Sequence, residues 1–205
     1  MDKNKEKVRD NFDNMAREYD NGKASQFAKQ CYPYMLNTLM PIEFDTVLDV
    51  GCGTGSLLYE ILDHKPQVKT VGIDFSEEML KVARNKLPKR VELIKADIEA
   101  IPIENKRFDL VVATDILRYC SNPQVVAREM YRVLKVGGKI ILSDFCTVSS
   151  LGIIKNIFNP TPGDVSLTAG SGDKVKDMLM KCGFDFVNYT KVTNNCFIAT
   201  GQKRH

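Results

Sequence analysis

The feature that most constrains the fold is an apolar strand that runs directly into a glycine-rich loop. Residues 47–50 have the composition of a buried strand, and glycines follow at positions 51, 53 and 55. A run with the composition of a helix comes next, from Ser56 to Leu62. Strand, glycine loop and helix in this order form the first half of a nucleotide-binding βα unit. Glycine suits the loop because a ligand must approach the backbone closely there.

The spacing of the glycines and two nearby carboxylates indicate the kind of nucleotide. The loop reads G-x-G-x-G, whereas loops that bind dinucleotides read G-x-G-x-x-G. Asp49 lies just before the loop, where its charge would repel a pyrophosphate and attract an ammonium group. Asp74 ends the next apolar strand, and a carboxylate there can accept hydrogen bonds from both ribose hydroxyls. Adenosine joined to an amino acid therefore fits these two acids better than a dinucleotide does.

Strands and helices alternate along the central part of the chain, which predicts a parallel sheet with helices on both faces. Ligands of such sheets bind outside the carboxyl ends of the strands, at the point where the strand order reverses. Five carboxylates fall at or just past the ends of predicted strands, namely Asp49, Asp74, Asp97, Asp115 and Asp144. The sequence therefore predicts a polar site at that edge of the sheet.

Four segments resemble the class I S-adenosylmethionine-dependent methyltransferases, in particular the type 11 group that includes the ubiquinone and menaquinone biosynthesis enzymes. They are VLDVGCGTG (47–55), VGIDFSEEML (71–80), IKADIEAIPIENKRFDLVVATDILRYC (94–120) and LKVGGKIILSDF (134–145). The resemblance implies a Rossmann-like methyltransferase fold of the α/β class. That fold is a doubly wound, mostly parallel seven-stranded sheet with helices on both faces and an antiparallel last strand.

The resemblance also implies S-adenosyl-L-methionine as the cofactor and assigns residues to it. Asp49 would hold its ammonium group, Asp74 its ribose hydroxyls and Asp97 its adenine amino group. The glycines would let the methionine part lie against the loop. The full implied set comprises Tyr19, Asp49, Gly51, Cys52, Gly53, Gly55, Asp74, Phe75, Met79, Asp97, Ile98 and Thr114. No metal ion belongs to this implied site.

The sequence leaves the catalytic base open. Residues 114–117 read TDIL where amino-methylating relatives carry Asn or Asp, two prolines and an aromatic residue, which disfavours methylation of DNA bases and protein glutamine. Many relatives carry a histidine in this region, and Arg118 and Tyr119 stand in its place. Asp115, Tyr119 and Asp144 are candidates for the base, and each is equally explained as a structural polar group at a strand end.

We expect a single methyltransferase domain over residues 1–205 with three parts. Residues 1–41 form an N-terminal helical cap, in which a helix that includes Pro33 is expected to be interrupted or kinked. Residues 42–145 form the cofactor-binding core, and residues 146–205 form a substrate-side loop, a helix and a terminal hairpin.

The cap and the loop at 146–172 are expected to cover the cofactor together and to form the acceptor pocket. Tyr19, Tyr32 and Tyr34 are the candidate lining residues. The alternative interpretation is a helix that packs permanently on the edge of the sheet, since a spacing of three and four residues predicts the helix but not its partner.

Charge and composition exclude several functions. The net charge of +3 is small, and the sequence lacks the basic stripe with interleaved aromatic residues that is typical of nucleic-acid binding, so we do not expect a nucleic-acid partner. No apolar run reaches the length of a membrane span and no signal-peptide pattern is present, so we expect a cytoplasmic protein. The six cysteines are scattered without a C-x-x-C pair, and we expect them to be reduced and partly buried. With only two histidines, a zinc site is not expected.

The function expected from the sequence is S-adenosylmethionine-dependent methyl transfer to a small-molecule acceptor, while the oligomeric state stays open. One alternative is a cofactor-binding module that has lost the chemistry, since the histidine of many relatives is missing. Another is a nicotinamide-dependent reductase on a similar sheet, against which Asp49 and the glycine spacing count.

Overall fold

Helices and strands alternate along the chain in a computed structural model that describes residues 3–145 and 172–205. The N-terminal part contains α1 (Lys3–Met15), a 3-10 turn (Tyr19–Asn21) and α2 (Lys23–Leu39). The central part contains β1 (Thr46–Val50), α3 (Ser56–His64), β2 (Lys69–Asp74), α4 (Glu77–Lys86), β3 (Glu92–Lys95), β4 (Phe108–Thr114), a second 3-10 turn (Leu117–Tyr119), α5 (Pro123–Val133) and β5 (Leu134–Phe145). The C-terminal part contains α6 (Gly172–Lys181), β6 (Asp185–Lys191) and β7 (Cys196–Gln202).

The seven strands form one sheet in the order β3-β2-β1-β4-β5-β7-β6. The first five pair in parallel, whereas β7 runs antiparallel to both β5 and β6. The predicted fold, with its antiparallel last strand, is therefore confirmed. The strand order reverses between β1 and β4, so the carboxyl ends of these two strands mark the switch point where ligands bind in such sheets.

Helices cover both faces of the sheet, which explains why β4 is apolar at successive positions. Leu110 and Val112 pack in a cluster with Met35 of α2 and Ile61 of α3. Val111, on the opposite face, belongs to a second cluster that includes residues of α5 and α6. A strand that is buried on both faces has no polar side, so it appears in the sequence as a continuous apolar run.

Helix α2 runs through Pro33 without the predicted interruption. A proline in a helix interior costs about 3 kcal/mol because it removes a backbone donor and crowds the preceding turn. Cys31 before the proline and Met35 and Leu39 after it are all fully buried against the sheet. Packing on both sides of Pro33 therefore holds the helix together, and a local pattern in the sequence does not reveal such packing.

The prediction that the cysteines are reduced is wrong for one pair. Cys31 of α2 and Cys196 of β7 form a disulfide across a sequence separation of 165 residues. The pair lies among buried apolar residues that include Phe145. Helix α2 crosses the sheet beside β7, and this crossing brings the two sulfur atoms together although no spacing rule in the sequence pairs them.

Two further expectations concern the loop before α6 and membrane-spanning helices. The loop predicted at 146–172 lies outside the described residues except for Gly172, which begins α6. In residues 3–145 and 172–205, no helix combines the length and the apolar character needed to cross a membrane.

Candidate functional site

A cavity of about 120 Å³ lies at the carboxyl edge of the sheet, beside the switch point. Its wall combines the glycine loop after β1, the ends of β2 and β4, the segment after β3, and one side of α1. Most of the predicted cofactor residues line this cavity, namely Tyr19, Gly51, Gly53, Asp74, Phe75, Met79, Asp97, Ile98 and Thr114. The fold therefore brings together side chains from segments that are far apart in the sequence.

The backbone of the glycine loop is fixed by hydrogen bonds and left-handed conformations. The N–H groups of Gly51 and Cys52 both donate to the carbonyl oxygen of Ile73, at 2.9 Å each. Gly51 and Gly53 have φ values of 75° and 53°, which glycine adopts without steric cost. A Cβ at Gly51 would lie 2.6 Å from Cγ2 of Ile116, whereas a Cβ at Gly53 would meet no atom within 4 Å.

These two glycines form a matched pair for a stability test. Alanine at either position must adopt a positive φ, which costs about 1–2 kcal/mol. Gly51→Ala also collides with Ile116, so we expect it to lower the free energy of unfolding by a further ~1–3 kcal/mol. Urea denaturation of both variants measures this difference. Equal stabilities for the two variants would contradict the close approach of Ile116 to the loop.

The carboxylate of Asp74 connects the end of β2 to the glycine loop. The Gly53 N–H donates to its Oδ2 at 2.8 Å, and the Ser76 N–H donates to its Oδ1 at 2.9 Å. Burial raises the pKa of Asp74, and these backbone donors oppose the rise. A carboxylate has about four lone-pair sites, so two backbone bonds leave capacity for two hydroxyl groups of a ligand.

Helix α1 closes the side of the cavity next to Asp97 with charged residues. Lys5 donates to Asp97 Oδ2 at 2.7 Å and lies 2.9 Å from Glu99 Oε2. Arg9 stands over the ring of Phe75, with 6.0 Å between the guanidinium carbon and the ring centroid. Lys5, Arg9 and Glu99 line the cavity but were not predicted from the sequence. The packing of α1 beside the segment after β3, which carries Glu99, is a long-range contact that no local pattern indicates.

Aromatic residues close the cavity between the N-terminal region and the 3-10 turn after β4. The ring of Phe12 lies 5.1 Å from that of Tyr119 and 6.2 Å from that of Tyr19, both edge to face. Of the three tyrosines predicted to line the acceptor pocket, only Tyr19 lines this cavity. Tyr32 lines a separate cavity, and Tyr34 is 37% exposed.

The segment that contributes most of the cavity wall matches a known protein family. Residues 43–180 match the family model for the methyltransferase domain. The chain belongs to the methyltransferase family. The resemblance described from the sequence segments is thereby confirmed, and the residues of the cavity can be considered as those of a methyltransferase domain.

Two curated relatives and one solved structure are similar to this chain. The 2-methoxy-6-polyprenyl-1,4-benzoquinol methylase of Caenorhabditis elegans is 32% identical over 71% of this chain and 54% of the relative. The demethylmenaquinone methyltransferase of Lactococcus lactis is 32% identical over 67% of this chain and 58% of the relative. The chain thus spans little more than half the length of these relatives. A Haloferax volcanii methyltransferase, solved in complex with a methyltransferase activator, is 18% identical over 95% of this chain and 98% of that chain, with a TM-score of 0.77.

Three of the predicted cofactor residues do not lie on the wall of the methyltransferase cavity. Asp49 is 2% exposed, and burial, together with the charge of Asp74, raises its pKa to about 8. Cys52 packs in an apolar cluster of α3 and α4. A Cβ at Gly55 would lie 2.6 Å from Cδ1 of Leu87, so this glycine allows α4 to approach the loop.

The three residues predicted as candidates for a catalytic base have different surroundings. Asp144 is fully buried and accepts from the N–H groups of Leu117 at 2.8 Å and Phe145 at 2.7 Å, which indicates a structural role. Burial and the charge of Asp115 raise the pKa of Tyr119. Asp115 and Tyr119 both line the cavity, whereas Asp144 does not.

Proposed function

We propose that this methyltransferase domain binds S-adenosyl-L-methionine in the cavity and transfers its methyl group to a small-molecule acceptor. The observation that carries the proposal is the position of Asp74. Its carboxylate is held by the Gly53 and Ser76 N–H groups at the wall of a cavity that the glycine loop also lines. A nucleoside with two free ribose hydroxyls suits this arrangement.

The residues of the cavity fit the parts of this cofactor. Asp74 would accept from the ribose hydroxyls, Asp97 from the adenine amino group, and Gly51 and Gly53 would face the methionine part. Phe75 and Ile98 offer apolar contact to the adenine ring. When bound, S-adenosylmethionine supplies an electrophilic methyl group on a positively charged sulfur. The chain's own residues then have to orient the acceptor and exclude water.

A small-molecule acceptor is supported by the names of the two relatives, which describe methylation of a benzoquinol and of demethylmenaquinone. The cytoplasmic location expected from the sequence remains a prediction. The Cys31–Cys196 disulfide does not favour it, because disulfides are rare in the cytosol of most organisms.

A thermal-shift experiment tests the cofactor. S-adenosylmethionine and S-adenosylhomocysteine at about 100 times their Kd are expected to stabilise the fold by about 2.7 kcal/mol. For a chain of this size the melting temperature then rises by roughly 5–10 °C. NAD and NADP should leave it unchanged. Preferential stabilisation by a dinucleotide would overturn the proposal in favour of a reductase.

The alternative of a binding module without chemistry needs a second measurement. Turnover of S-adenosylmethionine is followed with phenols, amines and thiols as acceptors. A module without chemistry would show the thermal shift and no turnover with any acceptor, whereas the proposed enzyme turns over at least one class.

A further inference from the structure

Three buried polar atoms at the end of β4 have no hydrogen-bond partner. They are Oγ1 of Thr114, Oδ1 of Asp115 and Nε of Arg118, and the statement holds for the part of the chain that the structure describes. A buried polar group without a partner costs about 1–3 kcal/mol, so such groups are rare in folded proteins. Three of them within five successive residues, of which Thr114 and Asp115 line the cavity, indicate a place where a ligand's polar group binds.

Asp115 has a backbone conformation that few residues other than glycine adopt. Its φ is 56°, and its N–H donates to the carbonyl oxygen of Ser143 at 2.9 Å. The next turn is held by Asp144, whose carboxylate accepts from the Leu117 N–H. A non-glycine residue at positive φ costs about 1–3 kcal/mol and persists where the surroundings impose it, often at functional sites. The fold therefore maintains Asp115 in a costly conformation at the cavity wall.

Arg118 binds one oxygen of Asp115 and leaves the other available. Its Nη2 donates to Oδ2 at 2.6 Å, while Oδ1 has no partner among the described residues. The guanidinium lies over the rings of Tyr119 and Phe145, at 5.0 Å and 5.2 Å from their centroids. Contacts with aromatic faces restrict the plane of a guanidinium group. Arg118 thus orients the carboxylate without occupying its second oxygen.

Several charged and titratable groups face Asp115 within the described residues. Arg118 of the 3-10 turn carries the positive charge, and Asp144 of β5 carries a second carboxylate. The hydroxyls of Tyr119 and of Tyr19, from the N-terminal region, are close enough for the charge of Asp115 to raise their pKa values. Burial raises the pKa of Asp115, the charge of Arg118 opposes this rise, and the charge of Asp144 adds to it. A raised pKa makes the carboxylate a better base near neutral pH.

We propose that Oδ1 of Asp115 accepts the proton of a hydroxyl-bearing methyl acceptor, and that Arg118 is the positioning residue for this carboxylate. The inference rests on the proposed function and specifies its acceptor class. The acceptor's oxygen loses its proton to Asp115 and forms a bond to the methyl carbon. The electron pair of the broken carbon–sulfur bond stays on the sulfur, which becomes a neutral thioether. Asp115 then returns the proton to water.

The charges around Asp115 favour a hydroxyl over an ammonium group. A cation is attracted less strongly here than by a free carboxylate, because the N–H groups of Leu117 and Phe145 stabilise the charge of Asp144, and the charge of Asp115 is already balanced by Arg118. The positive charge of Arg118 instead stabilises the oxyanion that forms as the hydroxyl loses its proton. A thioether or tertiary amine acceptor has no proton to release and does not need Asp115.

The pKa of Asp115 provides a test that does not depend on turnover. Protein labelled with ¹³C at the aspartate carboxyls is titrated by NMR in complex with S-adenosylhomocysteine, and the Asp115→Asn spectrum assigns the signal. We expect a pKa above the ordinary range in the wild type, a further rise in Arg118→Met and a smaller rise in Arg118→Lys, which keeps the charge. An ordinary pKa in the wild type, or one that Arg118→Met leaves unchanged, would overturn the role of Arg118.

Turnover of substituted phenols, anilines and thiophenols tests the proton acceptor and the acceptor class. We expect methylation of phenols, with kcat at least about 100-fold lower in Asp115→Asn and the KM for S-adenosylmethionine unchanged. Asparagine tolerates positive φ, so this variant should fold. In Arg118→Met the rise of kcat with pH should move to higher pH, because the base ionises later.

Asp109→Asn is the matched control, since Asp109 lies at the opposite end of β4 and its carboxylate binds Thr46 and Lys135. It should leave turnover unchanged. Full activity in Asp115→Asn would overturn the role of Asp115 as the proton acceptor. Methylation of anilines or thiophenols alone, or of none of the three classes, would overturn the assignment of a hydroxyl-bearing acceptor. Absence of any thermal shift with S-adenosylhomocysteine would instead mean that the proposed function itself is wrong.

Discussion

Replacing Asp74 with alanine is expected to weaken the binding of S-adenosylhomocysteine by roughly 5- to 150-fold, which corresponds to about 1–3 kcal/mol. The variant removes the proposed partner of the ribose hydroxyls. It also leaves the N–H groups of Gly53 and Ser76 without the acceptors that fix them at 2.8 Å and 2.9 Å. Both effects change the cavity wall, so we expect the affinity for the ligand to fall more than the free energy of unfolding.

Isothermal titration calorimetry measures this loss, and Asp63→Ala is the matched control. Asp63 is an exposed carboxylate on α3 that does not line the cavity, so its removal should change neither binding nor stability. The melting temperature of each variant without ligand reports on the fold. If Asp74→Ala binds as tightly as the wild type, the assignment of the ribose to Asp74 is wrong.

Replacing Asp49 with asparagine is expected to stabilise the ligand-free protein at alkaline pH. Burial raises the pKa of Asp49 to about 8. Because the folded-state pKa lies above the unfolded one, the stability associated with the protonated group is fully present below about pH 4 and is lost as the pH rises through about 8. Asparagine does not titrate, so the variant lacks this loss.

Thermal denaturation at about pH 5 and about pH 8.5 tests the sign. The difference in melting temperature, Asp49→Asn minus wild type, should increase by roughly 5 °C or more from the lower to the higher pH. Asp45→Asn, an exposed carboxylate just before the same strand, should show no such increase. A difference that stays constant with pH would mean that Asp49 ionises in the folded protein as it does in water. The measurement needs no ligand, so it is independent of the ammonium role implied for Asp49.

The glycine loop and Asp74 could be predicted because their chemistry is local. A strand that ends in closely spaced glycines has few other conformations, and Asp74 ends the very next strand. The same holds for the doubly wound sheet, since alternating apolar runs and helices determine the packing of layers. Short-range pattern therefore predicted the sheet, the glycine loop and Asp74, whereas the other predicted residues of the cavity wall came from the resemblance to a known family.

Features that depend on long-range packing could not be predicted. Lys5 and Asp97 are separated by 92 residues, and the two cysteines of the disulfide by 165. No local pattern in the sequence predicts the positive φ of Asp115, whose N–H donates to the carbonyl oxygen of Ser143 in β5. The path of α2 through Pro33 similarly depends on burial against the sheet.

The ion pairs of Lys5 weaken what a ligand can gain at the Asp97 end of the cavity, because the charge of this carboxylate already has a positive partner. A ligand amino group that donates to Asp97 competes with the ammonium group of Lys5, at 2.7 Å from Oδ2, and with the Glu99 N–H, which donates to Oδ1 at 2.9 Å. Because these donors already stabilise the carboxylate, the free energy gained is smaller than that of a hydrogen bond to a carboxylate without a donor. Discrimination among bases at this end therefore depends more on the fit of a ring against Phe75 and Ile98 than on the carboxylate. Added salt screens the lysine pairs and so shifts this competition towards the ligand.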